Sequence, residues 1–106
     1  MKQQPLAVTL VSKKQDMKGE VLGIKMVLEF RNLLNYSING FSGTVVFKAE
    51  GAKGVYMRKM AYGHAMAPGD TAQIEMYISS DEAKQYLKFV KAKVVNVALV
   101  NQKLYE

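Results

Sequence analysis

Residues 23 to 54, GIKMVLEFRNLLNYSINGFSGTVVFKAEGAKG, constrain the fold most. Ile24, Met26, Leu28 and Phe30 fall on one beat of a period of two, and Lys25, Val27, Glu29 and Arg31 on the other. That spacing is a strand with one face buried and one wet. A helix would set Lys25 and Glu29 beside Leu28 and leave no apolar stripe. Asn32 to Asn39 is polar and ends in Asn39-Gly40, a pair that accepts positive φ. Phe41, Val45 and Phe47 then alternate with Thr44, Lys48 and Glu50, so a second strand runs to Glu50. Gly43 inside it predicts a bulge or a close backbone approach.

The flanking sequence extends the same pattern. Pro5 to Lys14 reads as a first strand and Gln15 to Gly19 as the turn after it. Gly51-Ala52-Lys53-Gly54 is a hairpin loop leading into a strand over Val55 to Tyr62. Ala67-Pro68-Gly69-Asp70 is a turn by composition, and Thr71 to Ile78 follows with Ala72, Ile74, Met76 and Ile78 inward. Ser79 and Glu82 have the spacing of a capping box, which predicts one or two helical turns over residues 80 to 88. Phe89 to Asn101 reads as the last long strand, apolar on both faces at Val94 to Leu99 and therefore central. Asn101-Gln102-Lys103 turns it towards Leu104 and Tyr105. Six or seven strands with turns every eight to twelve residues make residues 1 to 106 a single all-β domain, a sandwich or small barrel.

Composition narrows the chemistry. The chain has 106 residues and no cysteine, which removes disulfides, thiolate catalysis and cysteine zinc sites together. Fifteen basic residues against nine acidic ones give +6, but only Arg31 and Arg58 carry the planar fork suited to phosphate or guanine. The lysines are scattered apart from Lys13-Lys14, as solvated strand faces require. No apolar run reaches the roughly 18 residues of a membrane span. The start, MKQQPLAV, has no signal-peptide core, so the expectation is a cytosolic protein or a mature domain whose Met1 replaces an export signal.

Catalytic groupings are poor. His64 is the one histidine, and serines 12, 37, 42, 79 and 80 stand outside any nucleophile-elbow context. Asp81-Glu82 is better explained as charge at a helix N-terminus. No enzyme activity, catalytic residue or cofactor is therefore expected. The most pointed cluster is Met57, Met60, His64 and Met66, a thioether and imidazole set that suits Cu(I). Methionine filling an irregular core is the plainer reading. Tyr36, Tyr56, Tyr62 and Tyr77 among lysines permit a stacking platform for single-stranded nucleic acid on an OB-like barrel. Tyrosine on a sheet surface is ordinary, however. Asn35-Tyr36-Ser37 matches a glycosylation sequon and reads as turn composition.

Phe30-Arg31-Asn32, Ile38-Asn39-Gly40-Phe41-Ser42-Gly43, Val45-Val46-Phe47, Gly51 to Gly54, Pro68-Gly69-Asp70-Thr71 and the valines from Val90 to Val100 together carry a resemblance. The chain resembles the immunoglobulin-like domains of bacterial lipoproteins and secreted proteins, the FxLYD-type group. The resemblance implies an immunoglobulin-like antiparallel β-sandwich of about seven strands with one short helix. It also implies an extracytoplasmic address, in the periplasm or at the cell surface, and a lipid anchor on a longer precursor. The role implied is non-catalytic adhesion, assembly or accessory binding, with a protein partner at a sheet edge. A nucleic-acid or polyanion binder and an envelope Cu(I) carrier are the alternatives.

Overall fold

The alternation of Ile24 to Phe30 closes on a core in the structure, a computed structural model that describes residues 4–51 and 54–105. Six strands form two three-stranded antiparallel sheets: β1 (Leu6–Lys18), β2 (Val21–Asn32) and β5 (Thr71–Ser79) in the order β1-β2-β5, and β3 (Phe41–Ala49), β4 (Tyr56–Tyr62) and β6 (Val95–Leu104) in the order β4-β3-β6. One helix, α1 (Ala83–Lys91), links β5 to β6. An isolated bridge joins Ile38 to Met66. This is the all-β sandwich with one short helix that the sequence predicts. The chain crosses between the sheets after β2, β4 and β5, and these crossings enclose the core.

The core is the set of inward positions on both sheets. Ile24, Met26, Leu28 and Phe30 of β2 face Phe41, Val45 and Phe47 of β3, all buried. The Phe30 and Phe41 ring centroids lie 5.2 Å apart and tie the sheets together. Phe89 of α1 meets the edge of the Phe47 ring at 6.2 Å and of the Tyr56 ring at 6.0 Å. Such tilted and edge contacts suit the aromatic quadrupole.

Asn32, the one buried polar residue among those described, organises the loops at the β2 end. Its Nδ2 donates to Tyr36 O and Met66 O, both at 3.1 Å, and its Oδ1 accepts from Leu34 N–H at 2.9 Å. Its backbone N–H donates to Asp70 O and its carbonyl accepts from Gly69 N–H. The Pro68-Gly69 turn is thereby held to β2, with Asp70 N–H bonded to Ala67 O across it. Gly40, at φ 130°, takes the chain from this cluster into β3, and a Cβ there would overlap the Tyr62 carbonyl.

Several boundaries differ from the sequence expectation. β1 continues through Gln15 to Lys18, and the turn is Gly19-Glu20, with Lys18 opposite Val21. The helix covers Ala83–Lys91 rather than residues 80 to 88, and no capping box forms. Ser79 is still the last residue of β5; its Oγ accepts from Asp81 N–H and its carbonyl from Glu82 N–H, which makes a turn before the helix begins. Phe89 is therefore helical and not the start of the last strand. Lys13 Nζ fixes that helix end by donating to Phe89 O and Ala92 O, both at 2.6 Å. β6 pairs only with β3, so it is an edge strand and not a central one. Asn101-Gln102 does not turn the chain back. Asn101 takes φ 54° in a bulge, and β6 runs on to Leu104. Gly43 lies opposite that bulge, and a Cβ there would sit 3.0 Å from the Val100 carbonyl oxygen, so the bulge or close backbone approach predicted at Gly43 is present. The hairpin loop at Gly51 to Gly54 includes Ala52 and Lys53, which lie outside the described residues, as do Met1 to Gln3 of the chain start.

Candidate functional site

Four strand edges bound the two sheets, and three of them are occupied or guarded. At the β1 edge Gln102 acts as a clasp. Its Oε1 accepts from Leu6 N–H at 3.1 Å, and its Nε2 donates to Leu6 O at 3.2 Å and to Leu99 O at 3.0 Å. The side-chain amide thus pairs both backbone groups of Leu6 as a strand residue would. On the far side β4 and β5 flank an open cleft of about 560 Å³, which Lys25, Arg58, Lys59, Glu75 and Tyr77 help to line. Arg58 crosses its mouth and donates to Tyr77 O at 2.6 Å. Charged residues also stand on these strands, Arg58 and Lys59 on β4 and Glu75 on β5. Such charges and bridges are how edge strands avoid pairing.

β6 is different. From Val95 to Gln102 it has no charged residue. Glu50 N–H donates to Val94 O at 2.9 Å, which sets the phase of the antiparallel ladder. Asn96, Ala98 and Val100 therefore exchange bonds with β3, and the N–H and C=O of Val95 and Val97 point to the outer edge. Their side chains pack inward, half-buried, while Ala98 and Val100 face solvent. An uncharged, largely apolar strand with backbone groups facing outward is a template for a further strand. The sequence signal for this was the apolar run over both faces of Val94 to Leu99, which reads as a central strand because central strands are covered on both sides.

The residues singled out for copper do not converge. Met57 is exposed on the outer face of β4, whereas Met60 lies on its inner face, Met66 is enclosed in the core and His64 stands exposed with its ring against Tyr62 at 5.1 Å. Among the described residues no three histidine, aspartate or glutamate side chains come together to hold a metal. The four tyrosines form no common exposed platform. Tyr56 and Tyr62 pack inward on Phe47 and Phe41, Tyr36 is in the loop after Asn32, and Tyr77 lies on the other sheet with its hydroxyl donating to Val21 O at 2.6 Å and lying 3.1 Å from Asp16 O. No helix among the described residues is long and apolar enough to cross a membrane.

Tyr56 titrates abnormally. Partial burial raises its phenol above the ordinary value of 10.0; Arg58 opposes this and Glu82, hydrogen-bonded to the hydroxyl at 3.3 Å, adds to it. The folded state therefore holds the proton longer than the unfolded chain does. The contribution to stability is full below pH 10 and is lost as pH rises through the folded value. Tyr56→Phe is expected to flatten the alkaline limb of urea-denaturation midpoints above about pH 10. Identical alkaline limbs for variant and parent would show that the phenol is not coupled to folding.

Comparison of the chain with protein-family models, with curated proteins and with solved structures finds no match.

Proposed function

We propose that this domain is a non-catalytic interaction module of a bacterial cell-envelope or secreted protein, which binds another protein by accepting a strand of that partner at a sheet edge. The observation that carries the reading is the β6 edge, uncharged from Val95 to Gln102 with the Val95 and Val97 backbone groups directed outward. Main-chain hydrogen bonds supply affinity in strand addition, and the side chains beside the edge supply selectivity. The envelope address rests on the resemblance borne by Phe30-Arg31-Asn32 and Ile38 to Gly43.

Photo-crosslinking in cells tests both parts. A benzophenone side chain at Asn96 is expected to give a discrete protein adduct in the envelope fraction. The same group at Glu29, on the opposite sheet, is expected to give none. Equal adducts from both positions would overturn the edge as the docking surface. No adduct from either, alongside thermal stabilisation by a small ligand or an oligonucleotide, would replace the protein partner by that ligand.

A further inference from the structure

The two outer sheet faces differ in charge. On the β1-β2-β5 face cations and acids interleave, with Lys25 Nζ 3.6 Å from Asp16 and 3.8 Å from Glu75, and Arg31 two residues along β2 from Glu29. On the β4-β3-β6 face Met57, Val46 and Ala98 form one cross-strand row, and Val100 stands in the next row beside Thr44. Met57 is 62% exposed and Val100 39%, so this centre is apolar and open to solvent. Around it lie exposed Lys48, Lys59 and Lys103, and Lys93 precedes β6; Glu50, at one end, is the acid on that face.

We propose that the β6 edge and this face together take an extended segment of a partner protein whose apolar centre is flanked by aspartate or glutamate. The inference rests on the strand-addition reading and names the partner's chemistry. Lys93 and Lys103 bracket the uncharged run of β6, so a docked strand has a lysine near each of its ends. Acidic residues there gain opposite-charge cross-strand pairs, and basic ones meet like charge. Small and thinly covered side chains at Ala98 and Val46 leave room for the apolar residues that the added strand turns outward. A second copy of this chain fits less well. Each copy carries +6, and antiparallel pairing of two β6 strands about Ala98 sets Lys93 of one against Lys103 of the other.

The test is selection from a displayed library of random peptides about twelve residues long, followed by anisotropy with the labelled winner. The expected winners have alternating apolar residues and acidic ends, and their binding weakens as salt rises from about 0.05 to 0.5 M. Lys93→Glu with Lys103→Glu, both exposed, is expected to weaken binding about tenfold or more. Lys14→Glu with Arg31→Glu makes the same change in net charge on the opposite sheet and is expected to leave binding within about twofold. Val97→Pro, which removes an outward N–H, is expected to abolish binding, with circular dichroism as the control for folding. Winners that need the Val97 N–H but carry no acidic ends, or that ignore the Lys93 and Lys103 reversal, would overturn the acidic partner and leave strand addition standing. Equal loss from both charge-reversal pairs would reduce the effect to net charge and also overturn it. Recovery of no peptide, or of peptides indifferent to both β6 variants, would overturn the edge reading itself.

Discussion

Replacing Asn32 by leucine is expected to lower the free energy of unfolding by about 1–3 kcal/mol, although leucine is nearly isosteric with it. The side chain is 1% exposed and makes three hydrogen bonds, two to carbonyls of Tyr36 and Met66 and one from the Leu34 N–H. When the amide is removed Tyr36 O and Leu34 N–H lose their side-chain partner, whereas Met66 O keeps the Ile38 N–H at 3.0 Å. A buried group left without a partner costs about 1–3 kcal/mol, so the two together outweigh the roughly 1.5–3 kcal/mol that leucine gains by apolar burial at the same site. Each kcal/mol lost lowers the melting temperature of a domain this size by about 4–8 °C. Asn32→Asp separates the donor role from the acceptor role. Its carboxylate still accepts from Leu34 but turns negative oxygen towards two carbonyls. The folded state then favours the protonated acid, so its pKa lies above the unfolded value of about 3.9. Relative to the parent, the aspartate variant is expected to be most stable in acid and to lose stability as pH rises through the folded pKa. A leucine variant within about 0.5 kcal/mol of the parent in urea denaturation, or an aspartate variant whose deficit is flat from acid to neutral pH, would remove Asn32 as the organiser of these loops.

Asn32 also marks where sequence reading stops. Its place after Phe30 belongs to a pattern visible in the chain, and so does the Pro68-Gly69 turn. Nothing in the residues at 36, 66 or 70 announces that their backbone groups converge on it, because backbone groups are the same in every residue. Inward positions were legible for the opposite reason. Ile24 to Phe30 and Phe41 to Phe47 alternate with charges or hydroxyls, and only a strand satisfies that period. The difficulty begins at Ser79. Apolar residues from Leu87 to Val100 serve three ends: Phe89 and Val90 pack the helix inward, Val95, Val97 and Leu99 pack β6 inward, and Val94 and Val100 are exposed. In so short a run the periods of helix and strand overlap, and the helix start shifts with them. The same run hid the edge position of β6. Apolar residues on both faces normally mean cover on both faces, and here one side of that cover is absent from the chain as described. The misreading of β6 and the docking surface proposed for it have a single cause.

Phe41→Ala is expected to be the most damaging truncation in the core, at about 3–5 kcal/mol. Phe41 is fully buried and opens β3, where it pairs with Tyr62 on one side and Leu104 on the other. Its ring lies 5.2 Å from that of Phe30 and 5.7 Å from that of Tyr62, so truncation opens a cavity against both sheets. Backbone collapse cannot close that cavity cheaply, because Gly40 next to it already lies against the Tyr62 carbonyl. Phe41→Leu keeps most of the volume and is expected to cost about 1.5 kcal/mol or less. Val100→Ala, on the exposed face of the neighbouring strand, is expected to stay within about 0.5 kcal/mol of the parent. Touching rings also predict coupling. The second truncation of the Phe30→Ala, Phe41→Ala pair removes contacts that the first has already weakened, so the pair should cost less than the sum of the singles by about 0.5–1.5 kcal/mol. With total stabilities of about 5–15 kcal/mol, the double variant stands near the folding threshold, so the cycle is best measured by urea denaturation at low temperature with an osmolyte present. Additive losses would mean that the two sheets are not joined through this ring pair. The link between them would then have to run through the α1 side of the core, where Phe89 meets Phe47.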